Sequence, residues 1–427
     1  MNKKLLTSIS LLAAVIAAPS FADYAFVNSG DFKVTIGGNL NLQGGVRFQP
    51  SSKTKKSVNG EIVKIGPSAN NEDGAFASDA HVYLGASNNT KDGLRYGAQI
   101  GVVASTRGGL PSKDILGRTY GFFEHDNWGR VELGTRKGAS KVMQIDGDTV
   151  ASATGGYAGD WGNYMTLTSY NPNSSPTYNT KATNEDNFTK GTKLVVKDPD
   201  SKANNEGCRK ITYYTPKYNG FQVGLSYIPD EANRATTPLP VTDGPTRKVK
   251  NAITAGIVYE NQLDKKQSFK IALVGETGEI TRSGKDKAEG RTYYKPRAID
   301  LGGTYTYDKI SVAASYGNRG KSTFRKQANL KKAIFYTAGA AYKFTDKISS
   351  SLTYFHSDNK NKLDIVSIGG DYTWLPGVQS YAEVTHIMAK QKYDYNLVES
   401  TAGSGTPSAT NFKNKGTVVL VGTRFSL

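Results

Sequence analysis

The sequence predicts an all-β chain: a transmembrane, antiparallel, up-and-down β-barrel of sixteen strands. Three observations predict it. Hydrophobicity alternates with a period of two along the chain after residue 22, the connections between alternating segments are short and long by turns, and an apolar leader supplies an export route.

The leader comes first. Lys3 and Lys4 form a basic start, Leu5 to Ala18 is apolar apart from small hydroxyl residues, and Ser20-Phe21-Ala22 fits a small-x-small cleavage site. A membrane-anchoring helix is disfavoured because the stretch is short. Residues 1–22 are therefore expected to be a signal peptide, and 23–427 a single barrel domain, since no proline-rich linker or change of composition divides them.

The segment Phe32 to Phe48 shows the alternation most clearly. Seven of its nine even positions are apolar, and none of its eight odd positions is. A 3.6-residue period cannot produce that pattern. The rhythm returns at Val82-Leu84-Ala86, Leu94 to Val102, Phe221 to Tyr227, Ile253 to Tyr259, Phe269 to Leu273 and Ile299 to Tyr305. It continues through Ile310 to Tyr316, Ile334 to Tyr342, Leu352-Tyr354, Val366 to Tyr372 and Val419 to Leu427, with less regular segments near Tyr120, Val131, Ile211 and Val378. Seven short turns are expected near 88–93, 126–128, 216–220, 261–266, 308–309, 345–347 and 375–377. Eight longer loops are expected near 49–75, 106–117, 137–208, 230–247, 278–296, 317–331, 358–362 and 389–415. Short turns on one side and long loops on the other are the habit of membrane barrels.

A soluble β-sandwich alternates too. Against it, the polar face carries Lys33, Arg47, Asp79 and Arg95 among Gly, Asn and Gln, as a wet lumen allows, and the apolar face repeatedly ends in Tyr or Phe. A helical membrane protein is excluded because no apolar run of about 18 residues follows the leader. Cys208 is the single cysteine, so no intrachain disulfide forms. The histidines (His81, His125, His356, His386) lack metal-ligand spacing, and no nucleophile–base arrangement stands out, so neither an enzyme nor a cofactor is expected. The 54 basic and 37 acidic residues give a formal charge of +17, but the basic clusters fall in the loops, which argues against nucleic acid as a partner.

Sixteen strands leave an aqueous interior, whereas about eight are filled by side chains. By parity the inward face carries Arg47, Arg95, Arg130 and Arg136 as a basic lining, with Asp79 and Glu132 as acidic members, and basic residues outnumber acidic ones. This predicts a water-filled channel for passive diffusion of small hydrophilic solutes and ions, mildly preferring anions. The connection 137–208 holds Asp146, Asp148 and Asp160 in its first part. From the residues alone it is either folded into the channel or a solvated external loop.

Arg118-Thr119-Tyr120-Gly121-Phe122-Phe123 followed by Trp128-Gly129-Arg130-Val131-Glu132-Leu133-Gly134 resembles a strand–turn–strand passage of the general diffusion porins of Gram-negative bacteria. Ile211 to Phe221 and the closing Val421-Gly422-Thr423-Arg424-Phe425 are similar to two further passages of that family. The resemblance implies an outer-membrane homotrimer in contact with lipid, assembled by the barrel assembly machinery through the C-terminal strand, while the basic loop clusters read either as a solvated face or as a contact for lipopolysaccharide phosphates. It also implies an inward third loop, here 137–166, with Asp146, Asp148 and Asp160 on the acidic side of a constriction. The stretch 167–208 exceeds the family spacing, and an extra hairpin there would make eighteen strands. Two alternatives stay open: a substrate-specific channel, and a surface adhesin or receptor using loops 49–75, 167–208 and 389–415.

Overall fold

The computed structural model describes residues 24–29, 32–48, 54–58, 61–65, 74–104, 116–165, 208–230, 248–323, 326, 332–358, 361–392 and 411–426. The leader and the 167–207 stretch, where an extra hairpin was considered, lie outside them. Sixteen strands form the wall: β1 (Phe32–Phe48), β2 (Gly74–Asn89), β3 (Arg95–Ala104), β4 (Leu116–His125), β5 (Gly129–Thr135), β6 (Arg209–Tyr214), β7 (Phe221–Asp230) and β8 (Lys248–Gln262). Next come β9 (Gln267–Thr281), β10 (Arg297–Tyr307), β11 (Ile310–Gly320), β12 (Ala333–Lys343), β13 (Ile348–Asp358), β14 (Asn361–Leu375), β15 (Val378–Lys392) and β16 (Asn411–Ser426).

Each strand pairs antiparallel with its chain neighbours, and β16 pairs with β1 from Thr417↔Phe48 to Ser426↔Asn39, which closes the ring. Closure matters because lipid offers no partner to a free backbone N–H or C=O. The barrel is the sixteen-stranded one that the alternation predicts, with the short turns where they were expected. The long loops differ in part: β13 ends at Asp358 and β14 begins at Asn361, so the longer loop expected at 358–362 is a tight connection. Strands also continue into the stretches expected as loops at 278–281, 317–320, 389–392 and 411–415. Two elements add to it. A strand at Tyr24–Ser29 pairs with the first residues of β1, and Thr54–Val58 with Glu61–Ile65 forms a hairpin within the first long loop.

Parity assigns the two faces. Along β1, Leu40, Leu42, Val46 and Phe48 are exposed outward, while Asn41, Gln43 and Arg47 are buried inward. The outer face repeats this all round, with Ile211, Leu225, Ile257, Leu273, Leu301, Val312, Leu352, Ile368 and Val421 exposed. So large an apolar surface is unstable in water and matched to hydrocarbon. Ring pairs stand at both ends of this band: Phe221–Tyr259 (4.4 Å), Tyr342–Phe344 (4.8 Å) and Tyr372–Trp374 (4.6 Å) near the short turns, and Tyr316–Tyr336 (5.2 Å) near the loops. Amphipathic rings favour the two membrane–water boundaries. No helix among the described residues is long and apolar enough to cross a membrane; the strands do so.

The densest packing lies between the wall and a segment folded inside it. Tyr157, Trp161 and Met165 pack with the inward Phe335, Phe355, Leu363, Ile365, Ile387 and Leu420. Ala139, Met143 and Ile145 pack with Tyr214, Val258, Ala272 and Val274.

Candidate functional site

That inner segment leaves the wall at Thr135 and runs through residues 136–165. It comprises one helical turn (Ala139–Met143) and three 3-10 turns (Gly147–Val150, Gly156–Ala158, Asp160–Asn163). Its anchors follow the strand order. Ser226 Oγ on β7 accepts from Ala139 N (2.8 Å), and Thr337 Oγ1 on β12 accepts from Gly147 N (2.8 Å). On β13, Ser351 Oγ accepts from Ser152 N (2.7 Å) and Thr353 Oγ1 from Tyr157 N (3.1 Å). On β14, Asp371 Oδ1 accepts from Ala153 N (3.0 Å), and on β16 an Arg424 guanidinium nitrogen donates to Ala153 O (2.9 Å). The Tyr164 ring then lies over Gly45 of β1, and Met165 over Gly416 of β16.

Two contacts hold the middle of the loop. At Gly147 and Gly339 the backbones touch: a Cβ on Gly339 would sit 2.0 Å from Gly147 O, so neither position has room for a side chain. At Glu383, 1% exposed on β15, the carboxylate accepts from Thr154 N (3.1 Å), Thr154 Oγ1 (2.9 Å), Gly156 N (3.3 Å) and Thr385 Oγ1 (3.2 Å). A buried carboxylate is tolerable only when its lone pairs are used in this way. Among the described residues the loop thus lines the wall from β7 round to β16 and β1, and leaves the lumen side of β2 to β5 bare apart from its own first residue, Arg136.

The three loop acids sit unequally. Asp146 (3% exposed) opens the turn Gly147–Val150, where the Thr149 hydroxyl donates to Asp146 Oδ1 at 3.4 Å. Asp160 (6% exposed) opens the last turn, its N–H donating to Thr154 Oγ1 at 2.9 Å. Asp148 is half-buried; its N–H donates to Tyr157 Oη at 3.1 Å. Burial, and then the neighbouring Asp146 carboxylate, push the Asp148 carboxyl well above the usual carboxylate range. Asp146 and Asp160 are therefore packed within the loop rather than open to the lumen.

The bare wall carries the arginines. Arg95, beside the short-turn end, pairs with Glu124 (3.1 Å) and Asp126 (2.9 Å). Arg130 pairs with Glu124 (2.8 Å) and Glu132 (2.6 Å), and Arg136 reaches the same Glu132 oxygen. Two arginines on one carboxylate let Glu132 stay 3% exposed without an unbalanced charge. Beyond β5, Lys210 Nζ donates to Cys208 O (2.7 Å) and to Arg136 O. Higher on β2, Asp79 accepts from or faces His81 at 3.3 Å. Arg47 is buried near the loop end of β1, apart from this group. Of the expected basic residues, Arg95, Arg130 and Arg136 form one connected network with Glu132, which Arg47 and Asp79 do not join among the hydrogen bonds and ion pairs described here.

Parity places Arg424 among the lumen-facing charges and the structure finds it inward and half-buried; Arg118, also inward and half-buried, was not among the residues singled out. The signal for Arg118 was available, since it shares its parity with Tyr120 and Phe122; Arg424 stands in the tripeptide Gly-Thr-Arg that also ends in Arg136.

A closed, lipid-facing barrel of sixteen strands with a loop folded along its inner wall is the architecture of an outer-membrane channel. The Gram-negative porin family matches residues 7–392, and the chain belongs to that family. An uncharacterized protein of Rickettsia bellii is 29% identical over 470 aligned residues, covering 99% of each chain. An outer membrane porin protein of Bordetella pertussis is 26% identical over 25% of this chain and 26% of its own. Among solved structures, the anion-selective porin from Comamonas acidovorans superposes with a TM-score of 0.55 at 15% identity, covering 93% of this chain and all (100%) of that one. The outer membrane channel DcaP of Acinetobacter baumannii gives 0.52 at 10% identity, covering 94% of this chain and 99% of that one. At these identities the likeness to solved structures is one of fold.

Proposed function

We propose that this outer-membrane channel is a passive pore for small hydrophilic solutes and ions, mildly preferring anions, that is exported by cleavage after Ala22 and works as a homotrimer. The observation that carries the reading is the division of the lumen. The loop and its acids line one side, and the bare β2–β5 wall presents Arg95, Arg118, Arg130 and Arg136 on the other. On the loop side Asp146 and Asp160 are buried, whereas Arg118, Arg130 and Arg136 lie half-buried and Arg95 exposed along the water path, so the field in the lumen favours anions. The Comamonas neighbour is described as anion-selective, which agrees with this reading.

Asp146, Asp148 and Asp160 act on the narrow side chiefly by holding the loop's shape, and Glu132 by fixing Arg130 and Arg136. Asp79 and Arg47 lie nearer the external mouth and shape entry. The outward Phe425 of β16 marks the strand read by the barrel assembly machinery, and cationic loop residues such as Lys295, Lys321 and Lys326 face lipopolysaccharide phosphates. Reversal potential in a planar bilayer under a potassium chloride gradient tests the central claim: a chloride-favouring potential is expected, and a potassium-favouring one refutes it. A substrate-specific channel is the second reading, favoured by the rings stacked beneath the lumen arginines. Flux that saturates with one solute would select it, and flux linear in concentration the general pore.

A further inference from the structure

Four lumen-facing arginines rest on aromatic rings, and each ring is built the same way. The Arg118 guanidinium carbon lies 5.1 Å from the centre of the Tyr83 ring, Arg130 lies 4.0 Å from Phe122, Arg136 lies 4.7 Å from Tyr120, and Arg424 lies 5.5 Å from Tyr381. In every case the residue directly opposite the ring-bearing position on the next strand is a glycine: Tyr83↔Gly101, Phe122↔Gly97, Tyr120↔Gly134 and Tyr381↔Gly422.

The glycines are needed where they stand. A Cβ on Gly97 would come within 2.9 Å of the Phe122 ring, one on Gly101 within 3.0 Å of the Tyr83 ring, and one on Gly422 within 2.5 Å of Tyr381 Cζ. Gly134 has φ +129°, a conformation that side chains rarely adopt, and a Cβ there would meet the Tyr120 backbone at 2.8 Å. An inward ring opposite a side chain would have to stand up into the lumen; opposite a glycine it can lie down along the wall. Two of the arginines follow the glycine by two residues, in the repeated tripeptides Gly134-Thr135-Arg136 and Gly422-Thr423-Arg424, with Arg136 just past the end of β5. Period two returns such a residue to the same face, beside the ring its glycine admits. Arg118 instead stands across the next strand, opposite Gly101 itself.

We propose that Tyr83, Tyr120, Phe122 and Tyr381 are positioning residues of the pore: uncharged rings, bedded on glycines, that fix where four guanidinium charges stand and so set ion selectivity. A long side chain in a wet channel otherwise spreads its charge over many rotamers. A ring face beneath it attracts the cation and removes that freedom. Two of the rings are themselves tied: the Tyr120 hydroxyl donates to Gln99 Oε1 (3.0 Å), and the Tyr381 hydroxyl to Asn41 Oδ1 (2.8 Å) and Gln43 Oε1 (2.9 Å). The Arg118 and Arg136 rings lie on the bare wall, where the permeating ion passes, and Tyr381 supports Arg424 against the loop.

The inference rests on the channel reading, and one bilayer experiment separates the two. Chloride-to-potassium permeability ratios are measured from reversal potentials for the full-length protein and for Tyr83→Leu, Tyr83→Phe, Arg118→Ala and the Tyr83→Leu/Arg118→Ala pair. None of the ring substitutions alters formal charge. The expected result is a twofold or larger change of the ratio in Tyr83→Leu, the wild-type ratio in Tyr83→Phe, and no further change when Tyr83→Leu is added to Arg118→Ala. Tyr120→Leu on Arg136 carries the same expectation as Tyr83→Leu and serves if the Tyr83→Leu barrel does not assemble. A conducting Leu variant with an unmoved ratio, or Leu and Ala effects that simply add, overturns the role of the rings. A wild-type protein that passes no current overturns the channel reading instead.

Discussion

Glu383→Ala is the sharpest test of how the inner loop is held. Three of the four hydrogen bonds to this carboxylate come from the loop, through Thr154 N, Thr154 Oγ1 and Gly156 N. Hydrogen bonds to charged groups contribute roughly 1.5–3 kcal/mol each. In a wet barrel the released donors find water, so the lower end applies and the bonds do not add fully. A loss of about 3–4 kcal/mol from the local docking energy follows. At about 1.4 kcal/mol per tenfold, the population with this part of the loop undocked rises on the order of 10²- to 10³-fold. Amide hydrogen exchange at Thr154 and Gly156 reads that population, and single-channel conductance reads its effect on the lumen. Faster exchange by about that factor, with larger and noisier current, is expected in Glu383→Ala, and a smaller effect in Glu383→Gln, which keeps one acceptor oxygen. Unchanged exchange at both amides in a folded barrel would refute the reasoning.

Two further outcomes follow from the same loop. Gly339→Val places a side chain where the Gly147 carbonyl lies, 2.0 Å from its first carbon, so the loop is expected to leave β12 while the barrel persists; larger conductance with an unchanged β-sheet circular dichroism spectrum checks it. The pH dependence has a definite sign. Because the Asp148 carboxyl is raised by burial and by Asp146, its neutral form is the one the docked loop favours. That contribution is complete below about pH 4 and is lost as pH rises through the elevated native value. Loop protection against proteolysis should therefore fall as pH rises from acid, and Asp148→Asn should flatten the dependence; a steeper dependence in the variant would contradict it.

The barrel was legible because period two is a local signal: Leu40, Leu42 and Val46 announce a lipid face without reference to any distant residue. The lumen was less so. Phe335, Phe355, Ile365, Ile387 and Leu420 point inward, where a water-filled pore predicts polar residues, and only the docked loop explains them. Their sequence trace is a run apolar on both faces, such as Val418-Val419-Leu420-Val421, which marks a strand covered on both sides. The short strand Tyr24–Ser29 and the hairpin from Thr54 to Ile65 were missed because Lys55, Lys56 and their neighbours show little alternation to read. Among the site residues, the Arg130–Glu132–Arg136 network followed from parity, since i and i+2 share a face. The burial of Asp146 and Asp160 did not, because a 3-10 turn has no long period to betray which side it packs.

The path of the loop also has a consequence for biogenesis. It is synthesised between β5 and β6, yet its last contacts are with the first and final strands: Tyr164 on Gly45, Met165 on Gly416 and Arg424 on Ala153. Those contacts can all stand together only when β16 and β1 lie side by side at the seam. The belt can dock on the middle strands beforehand, but its far end is held from both sides only once the ring is sealed, so closure of the barrel completes the belt.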